Sequence, residues 1–249
     1  MSPPPRQRLD QALVTRGLVP SRARARDLIL RGEVEVGGRC AERPAMLVEP
    51  GAAVRLVSGP ADYVSRGALK LRAALDSFML SPSGRIALDV GASTGGFTEV
   101  LIEREARRVY AVENGHGQLH PRLAADPRVV SLERTDVRTL DTALVPEPVG
   151  AIVADVSFIA LAKALPAALA LAAPGCWLVA LVKPQFEAGR AEVPRDGIVK
   201  SAAVRQAAAD RVGEWLASLG DWRVLGTIAS PIHGGDGNVE LLLGAVRDV

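Results

Sequence analysis

Residues 86–97 read I-A-L-D-V-G-A-S-T-G-G-F, and few folds accommodate such a run. Ile86, Ala87, Leu88 and Val90 form a short apolar stretch that ends at Gly91 and opens into a loop of small residues. A helical pattern follows, with Phe97, Val100, Leu101 and Ile102 on its apolar side. Strand, glycine-rich turn and helix in that order open the sheet of nucleotide-binding α/β proteins. A Cβ at Gly91, Gly95 or Gly96 would hold a ligand away from the backbone. The spacing is G-x-x-x-G-G rather than G-x-G-x-x-G, so a dinucleotide pyrophosphate is not the natural guest. Asp89 stands two positions before the first glycine, and Glu113 ends the next apolar run, 22 residues after it. A carboxylate there accepts hydrogen bonds from ribose hydroxyls. Acid, loop and second acid together are the pattern of proteins that use S-adenosylmethionine (SAM). The plainer alternative is a tight turn with no ligand.

Apolar runs of strand length recur after this one, at 108–112, 128–132, 151–155, 177–182, 223–229 and 239–245. Helical segments separate most of them, which predicts a seven-stranded, doubly wound α/β sheet. The stretch S-P-I-H-G-G-D-G-N (230–238) carries no helical pattern, so the last strand is expected to return antiparallel to the sixth. The segment from Tyr63 to Phe78 reads as a helix ahead of the sheet.

Charge is distributed unevenly. Residues 1–58 hold ten Arg and no Lys against six acids, a net +4, while the rest of the chain is slightly acidic. A basic N-terminal quarter suggests a nucleic-acid patch, with a solvated charged helix face as the alternative. Aromatic residues make up only 4%, which argues against single-strand binding that works mainly by base stacking. Arg8–Arg16 and a segment begun by Ser21 read as two helices closed by Gly17 and Gly32, with Ser21 as a cap. Strands at 33–36 and 54–57 follow, the first ending in a Gly37–Gly38 turn. Met1 to Pro5 is expected to be a disordered tail. The domains are therefore expected at residues 1–58 and 65–249, with a linker at 59–64. Cys40 and Cys176 lack metal-ligand spacing and read as free thiols of a cytoplasmic protein. His116, His120 and His233 likewise lack ligand spacing, and no metal is expected. No signal peptide is visible, and the longest apolar stretch, 164–173, is broken by Pro166 and too short to span a bilayer.

Asp155, Lys183 and Glu240 are charges within or next to apolar strands. Such charges are costly unless paired or functional. The carboxyl ends of strands in open α/β sheets are where ligands bind. Lys183 and Lys70 are two of only four lysines in a chain with 26 arginines. A Lys70–Asp155–Lys183–Glu240 set suits methyl transfer to a ribose 2′-hydroxyl, a poor nucleophile at neutral pH. An amine can draw off its proton or stabilise the emerging alkoxide while carboxylates hold the amine in position. Base or carbon methyl transfer more often goes with an N/D-P-P-Y/F loop or a catalytic Cys, whereas the stretch here is A-D-V-S-F.

The segment R-L-D-x-x-L, G-L, S-R-x-x-A-R-x-L-I and G-x-V-x-V-x-G, over residues 6–57, resembles the RNA-binding domain named after ribosomal protein S-four. The resemblance points to phosphate contacts by Arg8, Arg22, Arg24, Arg26 and Arg31, with Arg66 added from the S-R-G-A-L-K motif. Arg8 could instead pair with Asp10 or Asp27. S-R-G-A-L-K-L, D-V-G-A-S-T-G-G-F, E-R-T-D-V-R, A-D-V-S-F-I, L-V-K-P-Q-F-E-A-G-R and S-P-x-x-G-G-D-G-N-V-E together resemble the TlyA family. These are bacterial rRNA 2′-O-methyltransferases, sometimes labelled haemolysins, that join such an RNA-binding domain to an FtsJ-like SAM domain. The resemblance implies a Rossmann-like class I methyltransferase fold and a catalytic tetrad at Lys70, Asp155, Lys183 and Glu240. It implies a SAM pocket at Asp89, Gly91, Ser93, Gly95, Gly96, Phe97, Glu113, Asp136 and Asp155. The implied substrate is cytidine in 23S rRNA of the 50S subunit, with 16S rRNA of the 30S subunit added in the longer subtype. The end at Val249 reads as the shorter subtype, restricted to 23S rRNA; a monomer with no membrane partner is expected. Glu113 stands where the family usually has Asp, and Asp136 where Asn is common. A non-catalytic ribosome-assembly factor and a haemolysin are the competing readings.

Overall fold

The computed structural model describes residues 6–19, 21–30, 32–41, 43–56, 63–189, 192–235 and 237–248. The tail to Pro5, Arg31 and most of the expected linker lie outside them.

The N-terminal module runs β1 (Gln7–Arg8), α1 (Leu9–Thr15), α2 (Arg22–Leu30), β2 (Val34–Val36), β3 (Arg39–Cys40), β4 (Leu47–Val48) and β5 (Val54–Leu56). Ser21 caps α2, its Oγ accepting from Arg24 N at 3.2 Å. Gly37 and Gly38 both adopt positive φ, +60° and +79°, which closes the tight β2–β3 hairpin. Leu9, Leu13, Leu28, Ile29 and Val34 bury together as a small core of their own. The pairing of β1 with β4 lacks a counterpart in the sequence pattern, because two-residue strands carry no periodicity.

The second body opens with α3 (Gly67–Phe78), then β6 (Ile86–Val90), α4 (Gly96–Glu103), β7 (Arg108–Glu113), α5 (Pro121–Ala124), β8 (Val129–Glu133) and β9 (Val149–Ala154). There follow α6 (Leu161–Ala164), α7 (Pro166–Ala170), β10 (Ala172–Val182), α8 (Pro184–Glu187), α9 (Ala202–Ser218), β11 (Trp222–Ala229) and β12 (Leu241–Arg247). The seven strands lie in the order β11-β12-β10-β9-β6-β7-β8. Strands β10, β9, β6, β7 and β8 are parallel; β12 is antiparallel to both β10 and β11. The helix-free connection before β12 thus makes the antiparallel return that the sequence suggested.

Alternation along β6 explains the layers. Ile86, Leu88 and Val90 point to one face, where Leu161, Leu165, Val212 and Leu216 of the α6, α7 and α9 side cover them. Ala87 points to the other, among Leu71 and Leu75 of α3 and Val100 and Leu101 of α4. Tyr63 and Val64, inside the expected linker, are already bound to α4: the Tyr63 hydroxyl donates to Glu103 and Val64 N to Glu99 at 2.6 Å. The expected helix from Tyr63 starts instead at Gly67, with Ser65 Oγ accepting from Gly67 N at 3.3 Å.

Candidate active site

The Gly-rich loop joins β6 to α4. Gly91 (φ +85°) lies so close to the β9 end that a Cβ would stand 2.5 Å from the Asp155 carbonyl oxygen. At Gly95 (φ +98°) a Cβ would meet Leu123 at 2.3 Å, and at Gly96 Ser65 Oγ at 2.2 Å. Glycine there is therefore required first by protein packing and by backbone conformation, a reason different from the ligand clearance suggested by the sequence. Asp89 is fully buried beneath the loop and accepts from Thr98 Oγ1 at 2.6 Å. Phe97 is buried against α3.

A cavity of about 1010 Å³ opens beside this loop, lined by Gly91, Glu113, Asp136, Asp155, Phe158 and Arg24 among others. Glu113 sits at the end of β7, where its carboxylate accepts from Ser93 N at 3.0 Å and Gly115 N at 2.8 Å. Ser93 is buried and held at φ +49°. Asp136 accepts from Arg138, whose guanidinium and backbone N–H hold the carboxyl at a pKa of about 2. Glu133, which the sequence reading passed over, organises the facing loop. Burial raises its pKa, but hydrogen bonds from the backbone N–H groups of Gly117, Gln118 and Leu119 outweigh burial and leave it lowered. Its only sequence signal is an acid closing the apolar run of β8.

Two ion pairs stand at the carboxyl ends of the central strands. Asp155 directly follows β9 and Lys183 directly follows β10; Lys183 Nζ lies 2.6 Å from Asp155 Oδ1 and donates to Ser157 Oγ at 2.9 Å. Lys70, on α3, donates to Glu240 Oε2 at 2.5 Å. The β10–β12 register ends with Val182 opposite Leu241, so Lys183 and Glu240 are the next residues on neighbouring strands. All four side chains are at most 9% exposed. Buried Asn238 fixes the loop before Glu240, accepting from Val199 N at 2.8 Å and donating to Gly197 O at 2.9 Å.

The arginines expected on RNA divide. Arg8 and Arg22 both reach the fully buried Asp10 carboxylate, at 3.0 and 2.8 Å, and keep exposed flanks. Arg26 is exposed. Arg24 points the other way, into the cavity. Arg66 lies against Gly32, where a Cβ would come within 2.1 Å of its Nη2.

An FtsJ-like methyltransferase model matches residues 63–247, and an S4 domain model matches residues 7–54. The chain is 45% identical to the 16S/23S rRNA (cytidine-2′-O)-methyltransferase TlyA of Mycobacterium tuberculosis, covering 96% of this chain and 89% of that one. The chain belongs to the TlyA family. The hemolysin A of Brachyspira hyodysenteriae is 36% identical to it, over 94% of this chain and 98% of that protein. A solved hemolysin-labelled protein from Streptococcus thermophilus superposes with a TM-score of 0.74 at 36% identity, covering 98% of this chain and 89% of that one. The fold recurs in the N-methyltransferase NodS of Bradyrhizobium japonicum, solved with S-adenosyl-L-homocysteine (SAH), at a TM-score of 0.51 and 19% identity, over 73% of this chain and 85% of that one. Among the described residues of this TlyA-family chain, no helix is long and apolar enough to cross a membrane.

Proposed function

We propose that this chain is a cytoplasmic, SAM-dependent methyltransferase that modifies the 2′-hydroxyl of cytidine in 23S rRNA of the 50S subunit. The observation that carries the reading is the pairing of Lys183 with Asp155, which lines the cavity, and of Lys70 with Glu240 at the adjoining strand end.

The cavity fits the cofactor. It has room for a nucleoside and its side chain, and a carboxylate at the end of β7 for ribose hydroxyls. Gly91, Ser93, Gly95, Gly96, Glu113, Asp136 and Asp155 would hold it, with Asp89 and Phe97 supporting the loop from below. When bound, SAM supplies an electrophilic methyl group on a sulfonium.

The residues of the chain supply the rest. Lys183, entering the step as the free amine, takes the proton of the 2′-hydroxyl and ends the step as an ammonium beside Asp155, 2.6 Å away, and Ser157. Lys70, fixed by Glu240, adds positive charge where the oxygen becomes negative. General-base help of this kind contributes roughly 10²–10⁴-fold, and alignment of the hydroxyl adds to it. Arg8, Arg22 and Arg26 of the N-terminal module, with Arg31, contact phosphates and give register rather than sequence choice. The intact set of paired amine and carboxylate side chains favours catalysis over a purely structural role in ribosome assembly.

The test is nucleoside mass spectrometry of 50S and 30S subunits incubated with the purified protein and SAM. The reading expects 2′-O-methylcytidine in 23S rRNA. Methylation of 16S rRNA as well would widen the substrate, and no methylated ribose in either would refute the reading.

A further inference from the structure

Helix α2 separates its arginines by geometry. Arg22 and Arg26 are four residues apart and share a face, whereas Arg24 lies two residues from each and projects from roughly the opposite side. That side meets the cavity. Arg24 Nη1 donates to Ser93 Oγ at 2.9 Å and to Gln118 Oε1 at 2.7 Å, across 69 and 94 residues of sequence. Both acceptors lead on to one carboxylate. Ser93 N donates to Glu113 Oε2 at 3.0 Å, and Gln118 Nε2 to Glu113 Oε1 at 3.3 Å. Ser93 Oγ also donates to Gln118 Oε1 at 3.3 Å, closing the network. A single guanidinium from the N-terminal module therefore braces the glycine loop, the facing 115–119 loop and the acid at the end of β7. Ser21 and Ala23 of the same module line the cavity beside it.

We propose that Arg24 is a positioning residue that links docking of RNA on the outer face of α2 to the affinity of the cofactor cavity. The inference rests on the cofactor reading above. One rigid helix carries outward cations for phosphate and an inward cation on the cofactor loops. RNA that holds α2 in place thereby holds Ser93 and Gln118 in place, and a filled cavity holds α2 in return. Linkage requires the two effects to be equal: the factor by which RNA tightens the cofactor is the factor by which the cofactor tightens RNA. Coupling factors between sites commonly fall at roughly 5–150-fold.

The experiment measures the Kd of SAH on the full chain by calorimetry, alone and with saturating 50S subunits, for wild type, Arg24→Ala, Arg24→Lys and Gln118→Leu. Thermal melts confirm that each variant is folded. The expected wild-type ratio of the two Kd values is about fivefold or more. Arg24→Ala and Gln118→Leu should bring the ratio close to one and weaken SAH in the free protein, while Arg24→Lys restores part of both. Weakened 50S binding by Arg24→Ala with an unchanged SAH ratio would make Arg24 an ordinary phosphate ligand and overturn the inference alone. A wild-type ratio of one overturns it as well. Failure of the wild-type chain to bind SAH would end the cofactor reading and this inference with it.

Discussion

Lys183 Nζ lies 2.6 Å from Asp155 Oδ1, with both side chains less than a tenth exposed, and each residue is the first after its own parallel strand. Adjacent strand ends of a parallel sheet face the same cleft, so the register of β9 against β10 brings this pair together, with Asp155 on the cavity wall.

The second pair, Lys70 with Glu240, joins α3 to the start of β12 and should serve stability and chemistry separately. Lys70→Met leaves a buried carboxylate without its cation, which costs about 3–5 kcal/mol. Lys70→Met combined with Glu240→Leu removes both charges and should recover most of that loss, because a well-packed apolar pair replaces a buried ion pair at little cost. Methyl transfer should stay impaired in both. Urea unfolding beside a transfer assay checks this; recovery of activity in the double variant would remove Lys70 and Glu240 from the mechanism.

Phe158 follows the Asp155 strand end, 66% exposed and at φ +68°, with its ring centroid 5.2 Å from that of Phe186. An exposed aromatic held in a sparsely populated backbone region at a cavity mouth is poised to meet a flat partner. Stacking on a nucleobase contributes ~1–3 kcal/mol. Phe158→Ala should therefore raise KM for 50S subunits by roughly 5–100-fold while SAH affinity shifts about twofold at most. Steady-state kinetics and calorimetry separate the two.

Much of this arrangement was legible in the sequence because buried strands must be apolar and charges inside them stand out. The seven strands, the antiparallel return and the placement of Asp155, Lys183 and Glu240 all follow from that contrast. The β1–β4 pair was not legible, since two residues have no period. The direction of Arg24 was equally hidden. Its helix has arginines on two faces, and only the docking of the module on the glycine loop separates the inward one from the outward ones. The roles of Glu133 and Asn238 depend on loops that meet through folding, at sequence separations no local pattern reports.

Asp10 anchors Arg8 and Arg22 from inside. Hydrogen bonding from Arg8 lowers its pKa most, burial opposes, and Arg22 lowers it further, giving about 2 against an ordinary 3.8. A depressed folded pKa stabilises the chain above about pH 4, and that contribution is lost as pH falls toward 2. The difference in unfolding free energy between wild type and Asp10→Asn should therefore shrink by about 1–2 kcal/mol over that window, allowing for the exposed flanks of both arginines. Chemical denaturation at pH 5, 4, 3 and 2.5 reads it.

The two thiols should behave differently. Burial pushes Cys176 up to about 12, leaving almost no thiolate near neutral pH, while Cys40 is exposed. A chromogenic disulfide reagent should titrate Cys40 alone in the native chain and both thiols in denaturant. Rapid native labelling of Cys176 would contradict the burial on β10.

The central claim is that Lys183 handles the proton of the ribose hydroxyl, and single-turnover methyl transfer by Lys183→Met on 50S subunits tests it most directly. The rate should fall roughly 10²–10⁴-fold while SAH binds with a Kd within about threefold of wild type. Wild-type turnover by Lys183→Met, with the same 2′-O-methylcytidine formed, would contradict it.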